Sequence, residues 1–176
     1  MARVNSTLEK TLYDWVSTQT GITTIWDKQT TKRPALPFCT IAWLDGGTLN
    51  GTVDTQYKEL DTVEHTFRNI VIVSINIYAE TDHLSKMSDL RNSLQFEGVR
   101  EDMRKGGLRP RIQGAIQDLS GIVDTSFELR SQCDFTFAYS LSYDEVVGEI
   151  HTVTGDIDLN YQGEKQTEIN IDKTID

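Results

Sequence analysis

From Ser126 to Tyr143 the chain alternates. Phe127, Leu129, Cys133, Phe135, Phe137, Tyr139 and Leu141 take the odd positions, with Ser131 the one polar interruption. Glu128, Arg130, Gln132, Asp134, Thr136, Ala138, Ser140 and Ser142 take the even ones. A period of two is that of a β-strand, whose successive side chains point to opposite faces. The stretch therefore predicts one half-buried strand, well beyond the usual length of roughly five or six residues. A second long strand is predicted over Val63 to Tyr78, with His65, Phe67, Val71, Val73, Ile75 and Ile77 on one face. Ile70, Ile72 and Tyr78 add apolar surface to its other face, so its middle is expected to be covered on both sides.

Helical spacing appears in three places. Leu8, Leu12, Trp15 and Val16 form one stripe behind a cap at Asn5 or Ser6, and Gly21 supplies a stop. Leu84, Met87, Leu90 and Leu94 form a second stripe over Asp82 to Gln95, with Thr81 or Asp82 as its cap. Val99 to Lys105 predicts a short helix ended by Gly106-Gly107. Shorter strands are predicted at Ile22 to Asp27, Phe38 to Leu44, Leu108 to Gly114 and Val146 to Val153. Lys28 to Pro37, with Pro34 and Pro37, predicts a loop, and Asp45-Gly46-Gly47 a turn. Thr48 to Asp61 predicts a long hairpin excursion or loop, and Ala115 to Val123 a connection. The fold class expected is α+β: a mainly antiparallel sheet with long central strands, packed by two or three helices. A single domain is expected over residues 1–154, followed by an acidic extension over residues 155–176 that orders, if at all, on a neighbour's sheet edge.

Composition refines this picture. The 176 residues suit one domain with a sizeable core. The formal net charge of -10 argues against non-specific nucleic-acid binding and against an anionic membrane surface. It leaves room for DNA to slide past an acidic wall. No apolar run approaches the ~20 residues of a membrane-spanning helix, and the start of the chain has no signal-peptide pattern. Cys39 and Cys133 lie in apolar strand-like stretches and are read as buried free thiols.

Candidate chemistry is sparse. His65, His83 and His151 fall on separate elements without metal-ligand spacing. Nothing selects a pair among Asp14, Asp27, Asp45 and Asp118 for acid–base work. No nucleophile elbow, phosphate loop, dinucleotide fingerprint or Cys-x-x-Cys is present. No catalytic, metal or cofactor residue is assigned, and no cofactor is expected. One dense basic run stands out in an acidic chain: Arg100, Arg104, Lys105, Arg109 and Arg111. It is either a solvated face or the candidate subunit or partner interface, pairing with an acidic surface such as the next copy of the chain. Trp15, Trp26 and Trp43 are expected in the core or at subunit contacts.

Several motifs, in order, resemble the neck or tail terminator (tail completion) proteins of long-tailed bacteriophages. They begin with Leu12-Tyr13-Asp14-Trp15-Val16, Ile25-Trp26-Asp27-Lys28-Gln29 and Arg33-Pro34-Ala35-Leu36-Pro37-Phe38. They continue with Ile75-Asn76-Ile77-Tyr78, Val99-Arg100-Glu101-Asp102-Met103 before Gly107-Leu108, and Ile116-Gln117-Asp118-Leu119. Phe127 to Phe135 and Val147-Gly148-Glu149-Ile150 complete the set, so the resemblance spans about Leu8 to Ile150. It implies a tail-terminator-like fold and a structural virion protein rather than an enzyme, forming a hexameric ring at the head-proximal end of the tail tube. It implies as partners the tail tube protein, the neck or head completion protein and, in contractile phages, the sheath protein. DNA would pass through the lumen without specific binding, and assembly would occur in the host cytoplasm. A head–tail connector or collar subunit stands as an alternative, and a ligand-binding domain or enzyme without a recognisable motif as one of another class. The polar stretch Thr48 to Asp61 and the chain after Gly155 lie outside the shared pattern.

Overall fold

The computed structural model describes residues 6–28, 32–45, 47–49, 51, 53–58, 62–123, 126–147, 152–161 and 164–174. Along the chain come α1 (Ser6–Thr20), β1 (Thr23–Trp26), β2 (Phe38–Trp43), β3 (Thr48–Leu49), β4 (Asp54–Tyr57) and β5 (Thr62–Ala79). Then follow α2 (His83–Ser93), α3 (Glu97–Lys105), β6 (Arg109–Gln113), β7 (Gln117–Asp118), β8 (Gly121–Val123), β9 (Ser126–Val146), β10 (Thr152–Tyr161) and β11 (Glu164–Thr174). The fold is mixed α+β, with a mostly antiparallel open sheet and long central strands. Its spine runs β1-β2-β5-β9-β6; β3 and β4 pair with β5, and β7 and β8 with β9.

The backbone clusters into two compact units. The first comprises Met1–Asp54 and Thr66–Ser142. Its core lies on one sheet face, where Cys39 and Ile41 of β2, Val71, Val73, Ile75 and Ile77 of β5, and Cys133, Phe135, Phe137 and Tyr139 of β9 meet the helices. From α1 come Leu8, Leu12, Trp15 and Val16, from α2 Met87 and Leu90, and from α3 Met103. Trp15 is central. Its ring stands edge-on to Phe135 at 5.3 Å and to Phe137 at 6.0 Å, and its indole N–H donates to Ser93 Oγ at 3.0 Å. Edge-to-face pairs contribute about 0.5–1.5 kcal/mol each beyond their area. On the opposite sheet face Ser74 and Asn76 are also buried, so β5 is buried on both faces over Val73 to Ile77, while Ile70 and Ile72 stay partly exposed.

The second unit comprises Thr55–His65 and Tyr143–Asp176. Lys58 reaches Asp144 at 2.8 Å and Glu64 at 3.2 Å, and His65 Nε2 lies 2.7 Å from Glu145. Hydrogen bonds to Asp144 and Glu64 raise the Lys58 ammonium above its ordinary value. Strands β10 and β11 pair antiparallel with each other, Ile157 opposite Ile169. This pairing lies within residues 152–161 and 164–174 of the chain, and β10 runs through position 154.

The other departures have plain causes. β9 spans 21 residues, about 69 Å at ~3.3 Å per residue. α1, at 15 residues, extends only about 22 Å at ~1.5 Å per residue. The helices therefore cover the middle of β9 alone, and its alternation is strict only over Ser131–Tyr139. Phe127, expected inside, is 66% exposed. Ser131, the interruption in the pattern, is fully buried because its hydroxyl donates to the His83 carbonyl at 2.9 Å. On α2 it is His83 rather than Leu84 that turns inward. Asp82 occupies the cap position without a side-chain bond, its φ of 59° in the left-handed region. The connection expected over Ala115 to Val123 instead holds β7 and β8, too short to carry a period. β9 ends at Val146 and β10 begins at Thr152, where one strand over Val146 to Val153 was expected. Asn5, Gln29, Gly46, His151 and the motif residues Gly148-Glu149-Ile150 lie outside the described residues.

Phe135→Ala is expected to destabilise the protein by about 3–5 kcal/mol in urea titrations, because it opens a core cavity. Leu84→Ala, on an exposed flank, should shift stability by no more than about 0.5–1 kcal/mol. Burial pushes the Cys39 thiol well up and the Cys133 thiol to about 11. Both should resist a disulfide reagent at pH 8 until the protein is denatured. A raised folded value means that this contribution to stability is fully present below the unfolded thiol's ordinary range. For Cys133 it is then lost as the pH rises towards about 11, which a pH series of urea midpoints would show.

Candidate functional site

The basic run is assembled by a helix stop. α3 ends with Gly106 as its cap, and Gly107 takes φ 82°, which an L side chain adopts only at a cost. Gly107 N–H donates to the Arg104 carbonyl at 3.0 Å and Leu108 N–H to the Met103 carbonyl at 2.9 Å. These two bonds are those of a Schellman cap, in which the residue after the glycine packs back on the last turn. Leu108 and Met103 are both buried. The reversal sends β6 away beside the C-terminal end of α3, so Arg109 and Arg111 arrive next to Arg104.

Two adjoining clefts share Arg104, Arg109 and Arg111. One, of about 520 Å³, adds Glu97, Arg100 and Glu101; the other, of about 470 Å³, adds Arg68, Asn69 and Ser140. The structure therefore brings together four of the five expected residues: Arg100, Arg104, Arg109 and Arg111. Lys105 lines a different groove, between α1 and α3, with Asp14 and Asp102. Arg68 joins the cleft without any signal in the linear sequence, since it comes from the distant strand β5.

Charge within the cleft is only partly answered. Arg104 makes a two-pronged pair with Glu101, Nε at 2.9 Å and Nη2 at 2.8 Å. That bond holds the Glu101 carboxyl below its usual range and raises the Arg104 guanidinium. Arg68 pairs with Asp54. The exposed side chains of Arg100, Arg109 and Arg111 make no ion pair or hydrogen bond among the described residues. β6 lies at the end of the spine, with Pro110 between two arginines. Proline and charge on an edge strand discourage backbone pairing, so this edge offers guanidinium groups rather than a strand to extend.

A second cluster, unseen in sequence, ties strands together on the face away from the helices. Arg130 holds Asn76 Oδ1 with Nη2 at 2.9 Å and lies 5.3 Å from the Tyr78 ring centroid. Arg33 pairs with Glu128 and lies over Phe38 and Tyr78, whose rings stack at 4.6 Å. Burial raises the Tyr78 hydroxyl. These groups satisfy one another. The same holds around His83, where Nε2 lies 3.4 Å from Asp118 Oδ1 and 3.3 Å from Ser120 Oγ. Hydrogen bonds from Ser120 hold the Asp118 carboxyl down. One ring nitrogen facing both partners is not a catalytic relay, which uses opposite ring nitrogens. Asp14 pairs with Lys10, and Asp45 accepts from the backbone N–H groups of Gly47 and Ile72, so these carboxylates are used structurally. Among the described residues no cluster of His, Cys, Asp or Glu is arranged to hold a metal.

The family model described as phage neck terminator protein matches residues 6–164, which takes in α1, the whole sheet and the arginine cleft. The chain belongs to the phage neck terminator family. No curated protein matches the chain. Membership makes this terminator chain a structural component of the phage neck and tail. Among the described residues no helix is long and apolar enough to cross a membrane.

Gly107→Ala should destabilise by about 1–2 kcal/mol through the left-handed φ, and should do so more than Arg104→Ala. The latter breaks an exposed pair worth about 0–1 kcal/mol. Urea titration of both variants gives the comparison.

Proposed function

We propose that the chain is the subunit of a hexameric ring on the head-proximal end of the tail tube. The ring ends tube growth and joins the tail to the neck or head completion proteins, with DNA passing through its lumen. In a contractile phage it also meets the last sheath ring. It assembles in the host cytoplasm. The observation that carries this is the family match across residues 6–164. Two features of the molecule agree with it. The long strands of the first unit leave a sheet face free of helices, and the net charge of -10 suits a conduit that must not retain DNA. A ring needs one heterologous contact closed by rotation, and the unpaired arginines give such a contact a starting point.

Light scattering with negative-stain imaging, followed by incubation with purified tail tubes, tests this. Rings with a central hole, free or capping one end of each tube, are the expected result. A protein that stays monomeric and leaves both tube ends bare would overturn it.

A further inference from the structure

Two patches of opposite charge lie apart along the β5–β9 pair. At one lie Asn69 midway along β5, Ala138 to Ser140 of β9, and the cleft arginines 68, 100, 104, 109 and 111. At the other, β5 stops at Ala79 and the chain turns through Glu80 and Asp82, both exposed and without a side-chain partner among the described residues. Asp118, half-exposed, stands beside that turn through His83. Asn76 bonded to Arg130 and Thr66 bonded to Ser142 fix the two strands as running in opposite directions. From Asn69 to Ala79 is therefore a span of about 33 Å at ~3.3 Å per residue. Neither patch reaches the other within one copy.

We propose that the arginine cleft of one copy receives the Glu80–Asp82 corner of the next, a head-to-tail contact made by side-chain charge. Three observations favour a second copy of this chain as the occupant. Among the described residues, the cleft gathers the side chains of Arg100, Arg109 and Arg111 without an ion-pair partner, in a chain whose net charge is -10. Arg109-Pro110-Arg111 blunts β6 against added strands, so a partner must bring carboxylates rather than backbone. The two patches belong to one compact unit and differ from one another, so their contact is heterologous and propagates to a ring or a stack. Arginine forks bind carboxylates in pairs with defined geometry, which sets orientation as well as attraction. This contact rests on the ring reading above and names the surfaces that close it.

The test is a charge exchange on the full chain. Arg109→Glu/Arg111→Glu and Glu80→Lys/Asp82→Lys are made as separate double variants, with folding checked by urea titration. Mass is measured by light scattering in about 0.1 M salt, where screening acts over ~10 Å, and in about 1 M, where it acts over ~3 Å. The wild type should associate at the lower salt and lose association at the higher. Each variant alone should associate about tenfold or more weakly. An equimolar mixture should regain assembly, because each reversed cleft now faces a reversed corner. Variants that assemble like the wild type, a mixture that stays apart, or a wild type that stays monomeric at both salts would overturn the contact. So would wild-type assembly that requires added DNA and is lost in Arg109→Glu/Arg111→Glu, which would make phosphate the occupant. Tube capping by the same variants separates the two conclusions. Charge-reversed copies that still cap tubes overturn this contact and leave the ring intact, whereas a wild type that ignores tubes overturns the ring.

Discussion

The structure depends on a mismatch of lengths around one tryptophan. Trp15 sits against Phe135 and Phe137 with its indole N–H satisfied by Ser93, and the three helices gather at that point. The helices cover the middle of β9, the second half of β5 and part of β2, and leave the rest of the long strands, because a helix rises less than half as far per residue as a strand. Within the covered middle of β9, alternation and burial agree residue by residue. Outside it, apolar groups such as Phe127 and Ile122 stand in solvent. A chain of this kind builds one firm core and leaves parts of its long strands uncovered by helices.

Charge then separates along the same strands. The helix stop at Gly107 folds β6 back beside α3 and concentrates arginines that sequence order alone would spread over two elements. Some of that charge is spent locally, on Glu101 and Asp54. The remainder faces outward from a sheet edge that proline protects from strand addition. The proposed head-to-tail contact would give that remainder a use, since a second copy brings the exposed carboxylates of Glu80 and Asp82.

Much of this was legible in the pattern of residues. The period of two foretold β5 and β9, and the three- and four-residue stripes foretold the helices, because each pattern repeats over enough residues to exceed noise. Gly106-Gly107 announced the stop beside the arginines. What escaped was either too short or too distant in sequence. β7 and β8 hold too few residues to show a period, and Ser131 looked like a flaw because its partner, the His83 carbonyl, lies on another element. Arg68, Arg33 and Arg130 acquire their neighbours only through strand pairing. Lys105, next to Arg104 in sequence, lines the groove between α1 and α3 and lies 3.9 Å from Glu101, an arrangement that only the folded helix shows.

An electron cryomicroscopy reconstruction of the assembled neck at side-chain resolution tests the central claim most directly. The account predicts a closed ring of this chain in which Arg109 and Arg111 of each copy lie within ion-pairing distance of Glu80 and Asp82 of the next. A ring whose arginines face open solvent or the DNA, with subunits joined by other surfaces, would contradict it.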